Sequence, residues 1–150
     1  NDFPDNRMDS VPLLDIAQAI EVLMFKYAPS TVFTHNATDV NIDHQRVHDA
    51  TVVACRPQPG HPVKTIIRYE VASSTEWQLP GPSLGFFPNW YVDISLTMDL
   101  KLRSLAEYEH ELRQWPHSRS LKAVEHLARW RGASVGLEAA EAFMLGRHII

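Results

Sequence analysis

Thr31-Val32-Phe33-Thr34 is a short, β-branched, apolar run set between two stretches of helical spacing, and that alternation limits the folds open to the chain. Before it, Ile16, Ala19, Ile20, Leu23 and Tyr27 fall on one face, which predicts a helix over 13–27. Ser10 or Asp9 can cap that helix, Pro12 sits where proline is tolerated near a helix start, and Pro29 ends it. The run at 31–34 then suits a buried parallel strand. A polar loop from His35 to Ile42 follows, and Asp43 opens a second helix with Val47, Ala50 and Ala54 on one face, ended by Arg56-Pro57. Helix, strand, loop and helix in this order predict a doubly wound α/β fold. In such folds functional groups gather in loops at the carboxyl ends of strands, which places the loop from His35 to His44 at the centre of attention.

The second half is less regular. Residues 65–71 read as a strand, and 86–94 as another whose start Pro88 demotes to an edge or loop. The spacing of Leu102, Leu105, Tyr108, Leu112 and Trp115 predicts a helix over 97–115, with Glu107 and Glu111 alternating with Arg103 and Arg113 on its wet side and Pro116 as its stop. Ser118 or Ser120 starts another helix that ends near Gly132. Residues 138–145 fit either a helix or a final strand. There are no internal repeats.

Composition narrows the class. A chain of 150 residues fits one domain. Its net charge of −4 argues against a nucleic-acid scaffold, because backbone binding needs a basic face. No run approaches the roughly 18 apolar residues that span a bilayer, and no signal-peptide pattern is present, so a cytoplasmic location is the default expectation. Cys55 is the single cysteine, which excludes an internal disulfide; it reads as a small buried apolar residue.

The densest polar cluster is His35-Asn36-Ala37-Thr38-Asp39-Val40-Asn41-Ile42-Asp43-His44, with His48 one turn beyond. Neutral imidazoles bind zinc, and nearby carboxylates fix their tautomer and raise their basicity. A structural zinc calls for four closed ligands, usually with cysteines, whereas a catalytic zinc needs three protein ligands and an open position. From composition alone a second reading stays open: Asp39 and Asp43 as capping residues, His44 and His48 as solvated helix positions.

The run Thr34-His35, then Asp39-Val40-Asn41-Ile42-Asp43-His44, then Ala50 and Ala54-Cys55-Arg56-Pro57, resembles the second signature of the PIG-L/LmbE-like deacetylases, in which an Asp-His pair opens a helix after a strand ending in Thr-His. Further stretches keep the family order: Glu70-Val71-Ala72-Ser73-Ser74-Thr75-Glu76-Trp77, Pro88-Asn89-Trp90-Tyr91-Val92-Asp93-Ile94, a helix with Lys101 and Tyr108, Pro116-His117-Ser118-Arg119-Ser120, Arg131-Gly132 and Ala140-Glu141-Ala142-Phe143. The resemblance covers nearly the whole chain.

It implies a Rossmann-like three-layer α/β sandwich. It also implies zinc, or another divalent metal, and hydrolysis of the N-acetyl group of an N-acetylglucosamine-type sugar or conjugate. In the family the metal is held by a His and an Asp of an N-terminal His-Pro-Asp-Asp motif and by a later His that matches His44. The motif's other Asp is the general base. No His-Pro-Asp-Asp occurs here; the only His-Pro is His61-Pro62, followed by Val63. The chain opens in loop-like sequence, Asn1-Asp2-Phe3-Pro4, and is expected to be a C-terminal fragment whose missing segment carries most of the metal site. Many members place a His three residues before the metal His, for the oxyanion or leaving group. Asn41 stands there, able to donate a hydrogen bond but not a proton, with His35 as a substitute acid. Asp5 matches a contact to sugar hydroxyls. Glu70, Trp77 and His117 line a sugar pocket in one reading; in the other, Trp77 packs and His117 caps the helix after Pro116. The competing function is a non-catalytic carbohydrate-binding or assembly module. Neither nucleic acid nor membrane is expected as a partner, and self-association into a homo-oligomer is left open.

Overall fold

The computed structural model describes residues 2–79, 81 and 85–150. Its elements are α1 (Leu13–Tyr27), β1 (Thr31–His35), α2 (Ile42–Ala54), β2 (Thr65–Tyr69), β3 (Trp90–Asp93), α3 (Met98–Ala106), α4 (Leu121–Ala133) and β4 (Ala140–His148), with one 3-10 turn at Met8–Ser10. The sheet order is β1-β2-β4-β3. The α/β expectation holds. The residues divide into two compact units, Asn1–Phe87 with Met144–Ile150, and Pro88–Phe143.

In the first unit, α1 and α2 pack through Ile16, Ala17 and Ala50, with Met8 of the 3-10 turn beside them. Ala17 and Ala50 are fully buried, and side chains this small let the two helix backbones approach closely. Pro29 stops α1 as expected: Ala28 turns left-handed (φ 43°) and donates its N–H to the Met24 carbonyl. β1 runs parallel to β2, with Thr31 opposite Thr65 and His35 opposite Tyr69. Val32 and Ile66 enter a second cluster with Cys55, Val63 and Met24. The strand expected over 65–71 stops at Tyr69, where the backbone turns into a loop.

In the second unit, β3 pairs antiparallel with the start of β4, Trp90 opposite Phe143 and Asp93 opposite Ala140. The sheet is therefore mixed. Residues 138–145, undecided by spacing, contribute to this last strand. Ile94, Met98, Ala128 and Ala139 form the unit's core. Ser120 caps α4, its Oγ accepting from Ala123 N at 3.1 Å. The helix expected over 97–115 ends at Ala106. Beyond it the backbone folds into successive turns, with Tyr108 N bonded to Leu105 O and Glu111 N to Tyr108 O. Tyr108 and Trp115 are exposed and Leu112 is half-buried, so the apolar stripe is only partly covered past Leu105. Among the described residues, no helix is long and apolar enough to cross a membrane.

Candidate active site

The loop between β1 and α2 is built by buried polar side chains. Asn36 and Asp39 are both fully buried. Asp39 N bonds to Asn36 O at 3.2 Å and the Asn36 amide donates to Thr38 Oγ1 at 2.8 Å, closing a tight turn. Asn41 then starts α2. Its backbone is extended, and its Oδ1 accepts from Asp43 N (2.8 Å) and His44 N (3.4 Å), satisfying two of the orphan donors at the helix start. The cap is thus Asn41, and Asp43 lies inside the first turn.

Capping separates the neighbouring Asp43 and His44. Asp43 reaches away to the N-terminal loop, where its carboxylate accepts from Asn6 N at 2.6 Å and Met8 N at 2.9 Å. His44 faces the strand end. Its Nδ1 lies 2.9 Å from Asp39 Oδ2, and its ring stacks on His35 with centroids 4.1 Å apart and planes 12° apart. Ser74 Oγ stands 3.4 Å from the same Nδ1. One turn on, His48 Nδ1 donates to the His35 carbonyl at 2.9 Å, fixing the strand end against α2. Tyr69, the cross-strand neighbour of His35, places its hydroxyl 3.0 Å from His35 Nε2.

This environment holds the His35 pKa down to about 4, first through burial, then through the neighbouring His44 and His48, against an opposing pull from Asp39. His35 is therefore a neutral ring at pH 7. Burial and the Asp39 charge push the Tyr69 phenol up, so it remains a hydrogen-bonding hydroxyl.

Of the residues singled out from sequence, His35, Asn41 and His44 meet at this junction. Asp5 sits on the loop that Asp43 clamps; it is exposed, with Oδ2 accepting from the Asn6 side-chain amide at 3.1 Å. Trp77 is exposed on the loop after β2. His117 belongs to the second unit, where its Nδ1 accepts from Arg119 N at 3.0 Å, a turn-capping role. Sequence reasoning gave no role of their own to Tyr69 and Ser74. The only signal for Tyr69 was its place at the end of the next parallel strand.

The donor chemistry at His44 fits a metal ligand. Asp39 occupies Nδ1, and the ring keeps 19 % exposure at its side chain, leaving Nε2 as the nitrogen free to ligate. A fully buried carboxylate is costly without positive charge nearby, and Asp39 Oδ1 has no hydrogen-bond partner among the described residues. A cation on the far nitrogen of His44 would relieve that cost. Among the described residues no three His, Cys, Asp or Glu side chains converge to hold a metal ion.

No family model and no curated protein matches the chain. Solved structures do. The conserved protein TT1542 from Thermus thermophilus is 25% identical, over 99% of this chain and 64% of that one, with a TM-score of 0.67. N,N'-diacetylchitobiose deacetylase from Pyrococcus horikoshii, complexed with its inhibitor MPG, is 16% identical over 97% and 55%, with a TM-score of 0.72. GalB, the 4-carboxy-2-hydroxymuconate hydratase from Pseudomonas putida KT2440, is 16% identical over 91% and 60%, with a TM-score of 0.62. The chain thus spans less than two thirds of the length of each of these structures, and what it shares with them is the α/β fold.

Proposed function

We propose that this chain is the His44-bearing part of a PIG-L/LmbE-like, metal-dependent N-deacetylase that removes the acetyl group from an N-acetylglucosamine-type sugar or sugar conjugate. The observation that carries this reading is the seat of His44. It stands at the carboxyl end of a parallel strand, with one ring nitrogen on a buried carboxylate and the other left to ligate. The Asp-His sequence at that junction adds to it, as does likeness of fold to a diacetylchitobiose deacetylase. Zinc, when bound, would supply an activated water and polarise the amide carbonyl.

The chain's own residues then have separate tasks. His44 holds the metal through Nε2, and the His35 ring keeps the His44 plane in place from one side. Asn41 spends its carbonyl oxygen on the helix cap, which leaves its Nδ2 hydrogens as donors for charge developing on the amide oxygen. His35, neutral and bonded to Tyr69, supplies a hydrogen bond at neutral pH rather than an imidazolium proton. Asp5 and Trp77 offer an acceptor and an apolar ring face for a sugar.

The test measures acetate release from N-acetylglucosamine conjugates by the protein that carries this chain, loaded with zinc, alongside its His44→Ala variant. Loss of turnover in the variant supports the reading. Unchanged turnover at saturating zinc overturns the role of His44, and a wild type that binds the sugar conjugate but releases no acetate favours a non-catalytic carbohydrate-binding module. Water addition to an unsaturated acid with no acetate release would assign the chain to the chemistry of the hydratase that shares its fold.

A further inference from the structure

We infer that Asp39 is a positioning residue that fixes the tautomer of His44 and thereby determines which nitrogen faces the metal. The inference rests on the metal-ligand reading of His44 and assigns a cause to it.

Asp39 is fully buried, and its carboxylate Oδ2 lies 2.9 Å from His44 Nδ1. An ionised carboxylate only accepts hydrogen bonds, so the proton on this contact resides on Nδ1. In a neutral ring the lone pair is then on Nε2, the nitrogen that must be bare to bind a metal. The other group at Nδ1 does not impose this choice. Ser74 Oγ is 3.4 Å away, and a hydroxyl rotates to donate or accept as required. The backbone of Asp39 is held on both sides, by Asp39 N on Asn36 O and by the Gln45 side-chain amide on the Asp39 carbonyl, which anchors the base of the side chain, and its full burial leaves the carboxylate no solvent to turn into. The stacked His35 ring restrains rotation of His44 about its side-chain bonds. Two constraints therefore act on His44: His35 sets its plane, and Asp39 sets its proton. The buried negative charge also strengthens Nε2 as a donor to a cation.

The experiment reads nitrogen shifts of the His44 ring in the metal-free protein that carries this chain, with chelator at pH 8, in the wild type and in Asp39→Asn, and then, with the chelator removed, follows a zinc titration at His44. The wild type should show Nδ1–H with a bare Nε2. Asp39→Asn keeps the side-chain volume but presents amide hydrogens, and should shift the ring towards Nε2–H and weaken zinc binding about 10–100-fold. A wild-type His44 found in the Nε2–H form overturns the inference without any variant. So does an Asp39→Asn protein that folds, keeps the wild-type tautomer and binds zinc as before. If the tautomer shifts as expected but zinc binding survives His44→Ala unchanged, Asp39 still sets the ring's proton and it is the metal-ligand reading of His44 that fails.

Discussion

Replacing Asp43 by alanine should loosen the whole N-terminal loop, because a single carboxylate ties it to α2 across 37 residues of sequence. Two backbone N–H groups are at stake, Asn6 at 2.6 Å and Met8 at 2.9 Å. Hydrogen bonds to charged groups contribute about 1.5–3 kcal/mol each. The Asn6 bond is solvent-exposed and water can replace part of it, so the low end applies there. Met8 is buried, and its side chain belongs to the core cluster with Ile16, Ala17 and Ala50. Asp43 also lies in the first turn of α2, where a negative charge adds about 0.3–1 kcal/mol through the helix dipole. Together these give a loss of about 3–5.5 kcal/mol for Asp43→Ala and roughly half that for Asp43→Asn, which retains one acceptor oxygen. Urea unfolding at pH 7 measures the loss, and amide exchange at Asn6 and Met8 locates it. If Asp43→Ala unfolds within about 0.5 kcal/mol of the wild type, the level of an ordinary surface substitution, and both amides stay protected, the clamp does not contribute and the reasoning fails.

Three further outcomes follow from other contacts. In metal-free protein, His35 should stay neutral down to about pH 4; because its folded pKa is depressed from 6.5, its contribution to stability is full above pH 6.5 and falls between 6.5 and about 4, and an NMR titration with a midpoint near 6.5 would contradict this. Gly132→Ala should destabilise by about 1–3 kcal/mol in thermal unfolding despite the usual helix gain, since the new Cβ would lie 2.7 Å from Ala139 Cα and from the Leu137 carbonyl; an unchanged or raised Tm would show the backbone yields there. Asn41→Asp should keep the helix cap and the stability of α2, whereas Asn41→Ala should cost about 1 kcal/mol. A turnover loss of about 10²–10³ shared by both variants would identify the amide donor, and a loss confined to Asn41→Ala would show that only the cap matters.

Much of the first unit was legible because its signals are local. The helix over 13–27, its stop at Pro29 and the strand at 31–34 each depend on residues a few positions apart and appear where spacing put them, but the buried face of α1 centres on Ile16 and Ala17, and Leu23, Tyr27 and Phe33, which spacing turned inward, are exposed. The loop His35–His44 was legible as a polar cluster at a strand's carboxyl end. Its internal division of labour was not. Asn41 and Asp43 are both good caps by type, and only the backbone shows that Asn41 takes the cap while Asp43 turns to Asn6 and Met8. The Tyr69 hydroxyl on His35 depends on the register between two strands, which no spacing rule within either strand encodes. The helix expected to reach Trp115 failed for a related reason: a stripe states what could be buried, and past Leu105, Tyr108 stays exposed while Trp115 meets α4 only at its rim, edge-on to the His126 ring and beside Lys122.

The position of β4 shapes how the chain folds. It is the last of these elements to be made, yet it neighbours β2 within the sheet, and Arg147 near its end bonds to the Cys55 carbonyl at 2.5 Å. β2, whose Thr65, Ile66 and Ile67 are buried in the finished protein, therefore waits with an open hydrogen-bonding edge until synthesis has passed residue 144. The β1–β2 pair and the helices around it can form during translation, because their contacts are comparatively short-range. Closing the sheet requires contacts such as Thr65 with His148, 83 positions apart, which is the slow step by contact order. During that interval the nascent chain carries an unpaired apolar strand, a template for pairing with other chains. Deleting a few residues from β4 should then be far more damaging than their number suggests, yielding aggregated rather than merely less stable protein.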